Sequence, residues 1–167
     1  PEALRSPIAE QPDPVGPILR MAQARRDALA YCGAPRESVE MILTEIDQAE
    51  AFAAALDPPP NPTRFAMGDA HPGNFLIRDD GRAIAVDLEK AVYATPALDL
   101  AHSSLSVTIA WDARVSGAMS ADEVGAFYRS YLEALHGLGA PRLGAVARPW
   151  FAPMRRLVWL RVVTWFA

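Results

Sequence analysis

Met67-Gly68-Asp69-Ala70-His71-Pro72-Gly73-Asn74, followed further on by Val86-Asp87-Leu88-Glu89, is the stretch that decides how this chain is read. Asp69 and Asn74 stand five apart across a His-Pro-Gly turn, and Asp87 follows 13 residues after Asn74. Asn74–Arg78 and Ala83–Val86 read as short strands. Asp79-Asp80-Gly81 between them is a hairpin turn, because Gly tolerates positive φ. Asp87 then falls at the exit of the second strand. Two carboxylates and a carboxamide at the ends of neighbouring strands can converge on one point. Their oxygens are hard ligands suited to Mg²⁺, particularly where a substrate phosphate completes the shell. Asp69 could instead stay free to take a proton from an acceptor hydroxyl. Asp and Asn are also ordinary turn residues, and Pro72-Gly73 is an ordinary turn pair. The joint spacing therefore carries the chemistry, and no one residue does.

Outward from this β-element the chain is helical. Upstream, the prolines at 1, 7, 12 and 14 mark residues 1–13 as a linker or loop. Asp13 can cap a helix that has Pro14 in its first turn and runs to about Gly33. A second helix is expected over 37–56, with Val39, Ile42, Leu43, Ile46 and Phe52 on one face. The run Pro58-Pro59-Pro60 ends it. Arg64–Met67 is a further strand. Downstream, one helix begins near Asp99. A second opens with Ser120-Ala121-Asp122-Glu123, a capping-box pattern, and runs to about His136. A third starts near Arg142 or Pro149 and stops in mid-pattern, with no Gly or Asn to cap it. The fold class is α+β and mostly helical.

Composition narrows the function. At 167 residues, 51% hydrophobic and 22% charged, the chain is one globular domain with enough core to need no staples. The net charge of −4 argues against nucleic acid as a partner. Cys32 is the only cysteine, which excludes a disulfide framework or a Cys-rich metal site and fits a reducing, cytoplasmic location. The apolar run Leu157–Ala167 is too short to span a bilayer and is broken by Arg161, so no membrane role is expected. Residue 1 is Pro, and the expectation is that the chain is a piece of a longer protein.

Gly68-Asp69-x-His71-Pro72-Gly73-Asn74, the hairpin, Val86-Asp87-Leu88-Glu89 and then Pro96-Ala97-Leu98-Asp99-Leu100-Ala101 together resemble the aminoglycoside phosphotransferase and choline kinase family, small-molecule relatives of the protein kinases. The resemblance is close over about 35 residues, Arg64 to Leu100; beyond them it rests on helix order alone. It implies the C-terminal lobe of a protein-kinase-like fold, with the small β-hairpin element carrying the catalytic loop. It implies transfer of the γ-phosphate of ATP or GTP to a small-molecule hydroxyl, with Asp69 as base and Asn74 and Asp87 holding Mg²⁺ against the nucleotide phosphates. His71 and Asp99 take supporting roles. Asp99 resembles the family aspartate that ties a helix under the catalytic loop, and a plain N-cap is the competing reading. Glu89 is either a neighbour of the metal ligands or a surface charge. Trp111-Asp112 is the pair expected at the acceptor site, where an acidic group suits a cationic acceptor such as an aminoglycoside or a choline-like amine.

The chain departs from the family pattern in two places. Met67 stands where the family usually has His. There is also no G-x-G-x-x-G and no G-x-x-x-x-G-K-[ST], and the sole lysine, Lys90, follows the metal aspartate instead of lying on the strand where kinases keep theirs. The nucleotide-gripping N-terminal lobe is accordingly expected to lie outside residues 14–167. The chain alone should then hold triphosphate weakly and turn over poorly. Two rivals remain: a pseudokinase or interaction module without catalysis, and a metal-dependent hydrolase using the same carboxylates.

Overall fold

The computed structural model describes residues 8–57, 62–110 and 117–165. The triple proline at 58–60, the start of the expected linker and the Trp111-Asp112 pair fall outside them. Helix α1 spans Gly16–Ala24, α2 Arg36–Ala55, α3 Ala97–Ser104, α4 Ser106–Ile109, α5 Ala121–Gly137, α6 Pro141–Ala147 and α7 Phe151–Trp165. The strands are β1 Arg64–Ala66, β2 Phe75–Ile77, β3 Ala83–Ala85 and β4 Val92–Ala94. The architecture is α+β and mostly helical.

Helix α7 is the centre. It buries Met154, Leu157, Val158, Leu160 and Thr164, and α1, α2 and α3 all pack against it. Their contributions are Ile18 and Ala22, Ile42 and Ile46, and Leu98 and Ala101. Residues three, four and seven apart on each helix meet this core, which is the stripe an amphipathic helix presents. Helix α5 keeps its capping box, with Ser120 accepting from the Glu123 N–H and Glu123 reaching back to the Ser120 N–H. It docks on α7 through Tyr128, whose ring lies 4.8 Å from that of Phe151.

Several expectations change. The first helix ends at Ala24, and the chain turns through Arg25–Asp27 into a 3₁₀ turn at Ala28–Tyr31. Asp13 still serves its start, accepting from the N–H groups of Val15 and Gly16. The helix near Asp99 breaks at Leu105, which is extended, and α4 follows. Thr108 sits at the break: its hydroxyl donates to the carbonyl of His102, the acceptor that the Ser106 N–H would use in a continuous helix, and also to that of Leu105.

The β-element is two separate two-stranded antiparallel sheets. The expected hairpin pairs Phe75 with Ala85 and Ile77 with Ala83, and Gly81 turns it at φ +79°. Strand β1 instead pairs with β4, which the sequence pattern does not disclose, Arg64 opposite Ala94 and Ala66 opposite Val92. Residues 9–11 run alongside β4, joined by Tyr93 N–H to Ala9 O and Gln11 N–H to Tyr93 O. The segment 67–74 thus bridges two sheets, leaving one and entering the other. Among the described residues no helix is long and apolar enough to cross a membrane.

Candidate active site

The loop 67–74 rests on α3. Asp99 lies in the first turn of that helix but does not cap it, since Pro96 occupies the N-cap. Its carboxylate reaches across to the loop: Oδ2 accepts from the Met67 N–H at 2.7 Å and Oδ1 from the Gly68 N–H at 3.0 Å. Burial pushes the Asp99 carboxyl above its usual range, against the pull of those two N–H donors. One turn on, the Ser103 hydroxyl donates to Ala70 O at 2.8 Å. From α7, Arg161 donates to Gly68 O at 3.1 Å. The loop also closes on itself. Asp69 O accepts from the His71 N–H and from Asn74 Nδ2, both at 2.9 Å, and His71 O accepts from the Asn74 N–H. The His71 Nδ1 accepts from the Gly73 N–H. Most backbone groups of the loop are therefore held in place by a hydrogen bond.

The Asp69 side chain stands above this floor between two nitrogens. Lys90 Nζ donates to Oδ2 at 2.5 Å, and His102 Nδ1 lies 3.8 Å from Oδ1. Burial pushes the Asp69 carboxyl up, but the Lys90 hydrogen bond and charge outweigh it and hold the group below its usual range. His102 is 3% exposed, and neither of its ring nitrogens has a hydrogen-bond partner. Burial, with the charge of Arg161, pulls His102 down to about 4, so the ring is neutral.

On the other side the chain is strained and exposed. Asp87 is the only non-glycine among the described residues with positive φ, at φ 57° and ψ 58°. A left-handed non-glycine residue costs about 1–3 kcal/mol. The turn it starts, Leu88–Lys90, presents Glu89 beside it, and the hydrogen bond and charge of Asp87 push the Glu89 carboxyl above its usual range. Gly68, at φ +76°, has no room for a Cβ because Lys90 O lies against it. The two segments are packed backbone to backbone.

A cleft of about 760 Å³ opens between them. Asp69, His71, Asp87, Glu89, Lys90, His102 and Arg161 form its polar wall, and Ile18, Met21, Val107 and Trp165 its apolar one. Of the residues singled out in the sequence, Asp69, His71, Asp87 and Glu89 border the cleft, while Asn74 and Asp99 do not. Asn74 is buried with Nδ2 committed to Asp69 O, which leaves Oδ1 as the side-chain atom able to act as an oxygen ligand. Asp87 and Glu89 supply oxygen donors pressed together, a donor set suited to a hard divalent cation. Among the described residues no three His, Cys, Asp or Glu side chains are gathered into a ready-made metal cage.

Three residues of the cleft escape a reading by spacing: Lys90, His102 and Arg161. His102 has a faint signal, since it follows Asp99 by three on the helix under the loop. Arg161 has none. The tryptophans divide: Trp150 is core, whereas Trp165 borders the cleft with Arg25 stacked over its ring at 4.5 Å.

A family model described as "Phosphotransferase enzyme family" matches residues 8–147, which take in the loop, both sheets and helices α1 to α6. No curated protein and no solved structure matches the chain.

Proposed function

The chain belongs to the phosphotransferase enzyme family, and from that premise we propose that it moves the γ-phosphate of ATP or GTP to a hydroxyl of a small molecule. The observation that carries this reading is the convergence of Asp69, Asp87 and Glu89 on one cleft within the segment that the family match covers. Asp69 is fixed by its backbone, and its carboxylate faces the cleft with Lys90 as its hydrogen-bond partner, a place that suits a base. Taking the acceptor's proton as its oxygen attacks phosphorus is work for a carboxylate within hydrogen-bond reach. The bond from phosphorus to the β-bridging oxygen breaks, and the nucleoside diphosphate leaves with that oxygen.

Asp87, with Asn74 Oδ1, would hold Mg²⁺, and Glu89 stands beside Asp87. The ion, when bound, neutralises charge on the nucleotide phosphates. The Glu89 carboxyl, raised by its hydrogen bond to Asp87 and then by that neighbour's charge, puts a second oxygen donor beside the first at this place. The apolar wall from α1, α4 and α7 excludes water from the side opposite the carboxylates. An acceptor that is itself cationic fits the acidic rim, and Asp112 remains the proposed contact for it.

A second lobe supplying the phosphate-covering loop and a strand lysine completes the nucleotide site in this reading. In support, Phe65, Leu76, Ile77, Ile84, Leu88 and Tyr93 are all exposed on or beside the two small sheets. A patch of large apolar side chains of this kind is a docking surface more often than a solvent face.

The test is a transfer assay on the protein with that lobe in place, using γ-labelled ATP or GTP and a panel of hydroxyl compounds. Label recovered on an acceptor supports the proposal. Label released as inorganic phosphate at one rate whatever the acceptor points to a hydrolase. Nucleotide binding with no label moved points to a pseudokinase.

A further inference from the structure

We propose that Lys90 is the cation that pairs with the terminal phosphate while it passes to the acceptor hydroxyl, and that in doing so it uncovers Asp69. This rests on the phosphotransferase reading above and goes beyond it by giving a residue off the catalytic loop a place in the reaction. In the structure Lys90 Nζ lies 2.5 Å from Asp69 Oδ2. A carboxylate oxygen that already accepts from an ammonium is a poor acceptor for a hydroxyl proton. Oδ1 lies 3.8 Å from the buried His102 ring, so Oδ2 is the oxygen left for an acceptor, and the ammonium has to leave it before the base can work.

The geometry says where it goes. The backbone of Lys90 is pinned: the Ala91 N–H donates to Leu88 O at 3.0 Å, and Gly68 packs against Lys90 O. Only the side chain is free to swing, and it is 55% exposed in a cleft it shares with Asp87 and Glu89. A nucleotide that brings Mg²⁺ to those two carboxylates satisfies them with the metal. The nearest unmatched anion for Lys90 is then the terminal phosphate. One movement pairs the ammonium with the charge that builds on the transferring group and frees Oδ2 for the acceptor. The left-handed turn at Asp87 and the glycine at 68 are what bring a residue three positions beyond Asp87 back over Asp69.

Lys90 is the only lysine in the sequence, so ¹³C,¹⁵N-lysine labelling places a single side chain in the NMR spectrum. Asp69→Asn should shift its Cε and Nζ signals in the free protein. Millimolar Mg·ATP should move them in the unmutated chain, to a position different from that in Asp69→Asn, and Mg·ADP should not. In turnover, Lys90→Met should lower kcat about 10²-fold with acceptor KM little changed, and Lys90→Arg should recover part of the loss. Lysine signals that stay still while backbone amides around Asp87 respond to Mg·ATP would overturn the inference and leave the phosphotransferase reading intact. An equal response to Mg·ADP would remove the terminal phosphate as the partner. If no amide responds to millimolar Mg·ATP in the chain, nor in the protein with the second lobe in place, the nucleotide reading itself falls, and the inference with it.

Discussion

The loop 67–74 and the turn 87–90 face each other across one cleft and are built on opposite terms. The loop is satisfied: Asp99, Ser103 and Arg161 bond its backbone from below, and Asn74 ties its two ends together. The turn is frustrated, with a left-handed Asp87, two carboxylates side by side and a lysine reaching across to Asp69. A folded chain tolerates frustration where something else completes the group. On the proposed reading the satisfied side is scaffold, and the frustrated side is where a substrate would supply the missing partner. Changes below should therefore cost stability, and changes at the rim should cost turnover.

The largest effect is expected where the two meet. Asp69→Asn keeps the shape and removes the base, so kcat should fall about 10²–10⁴-fold, or ~3–5 kcal/mol of barrier, with nucleotide affinity little changed. Steady-state kinetics with the proposed second lobe in place read this, and turnover within a few-fold of the unmutated enzyme would take Asp69 out of the reaction. Next is Asp99→Ala, which strips two backbone N–H groups of a buried charged acceptor. A cost of about 3 kcal/mol in unfolding free energy is expected, read by urea titration. A rim variant such as Glu89→Gln should leave that midpoint where it is.

His102 gives the scaffold a pH signature. Its folded value, about 4, lies below the ordinary 6.5, so the unfolded chain binds the extra proton first. Stability from this group is present above pH 6.5 and is lost as pH falls towards 4, by about 2–3 kcal/mol across the window. Asp69, held below its ordinary value, adds a loss of the same sign at lower pH; Asp99, held above its own, acts in the opposite sense. Urea midpoints measured across that range should lose this slope in His102→Gln. The smallest effect belongs to a pair remote from the cleft. Arg156 holds Glu45 through two bonds at 2.9 Å on the surface between α2 and α7. Arg156→Ala should cost about 0.2–1 kcal/mol of stability and nothing in turnover.

Local chemistry made part of this legible from the sequence. The Asp79-Asp80-Gly81 hairpin, the Ser120–Glu123 capping box and the apolar face of α2 are each written within a few neighbouring residues, and each is present. Of the three residues picked out by spacing, Asp69 and Asp87 border the cleft and Asn74 does not. What stayed hidden depends on partners far along the chain. Strand β4 is three residues long and exists because β1, nearly thirty residues earlier, lies beside it. Lys90 reaches Asp69 across 21 residues, and Arg161 reaches Gly68 across 93. The break at Leu105 carries neither Gly nor Pro to announce it, only a threonine hydroxyl that takes the carbonyl of His102.

Replacing Mg²⁺ by paramagnetic Mn²⁺ in an NMR titration of this chain tests the central claim most directly. With ATP present at millimolar concentration, the amide signals of Asp87 and Glu89 and the side-chain amide of Asn74 should broaden first, and without ATP they should broaden far less, because the phosphates complete the metal's shell. Broadening centred elsewhere in the chain, or unchanged by ATP, would contradict the account.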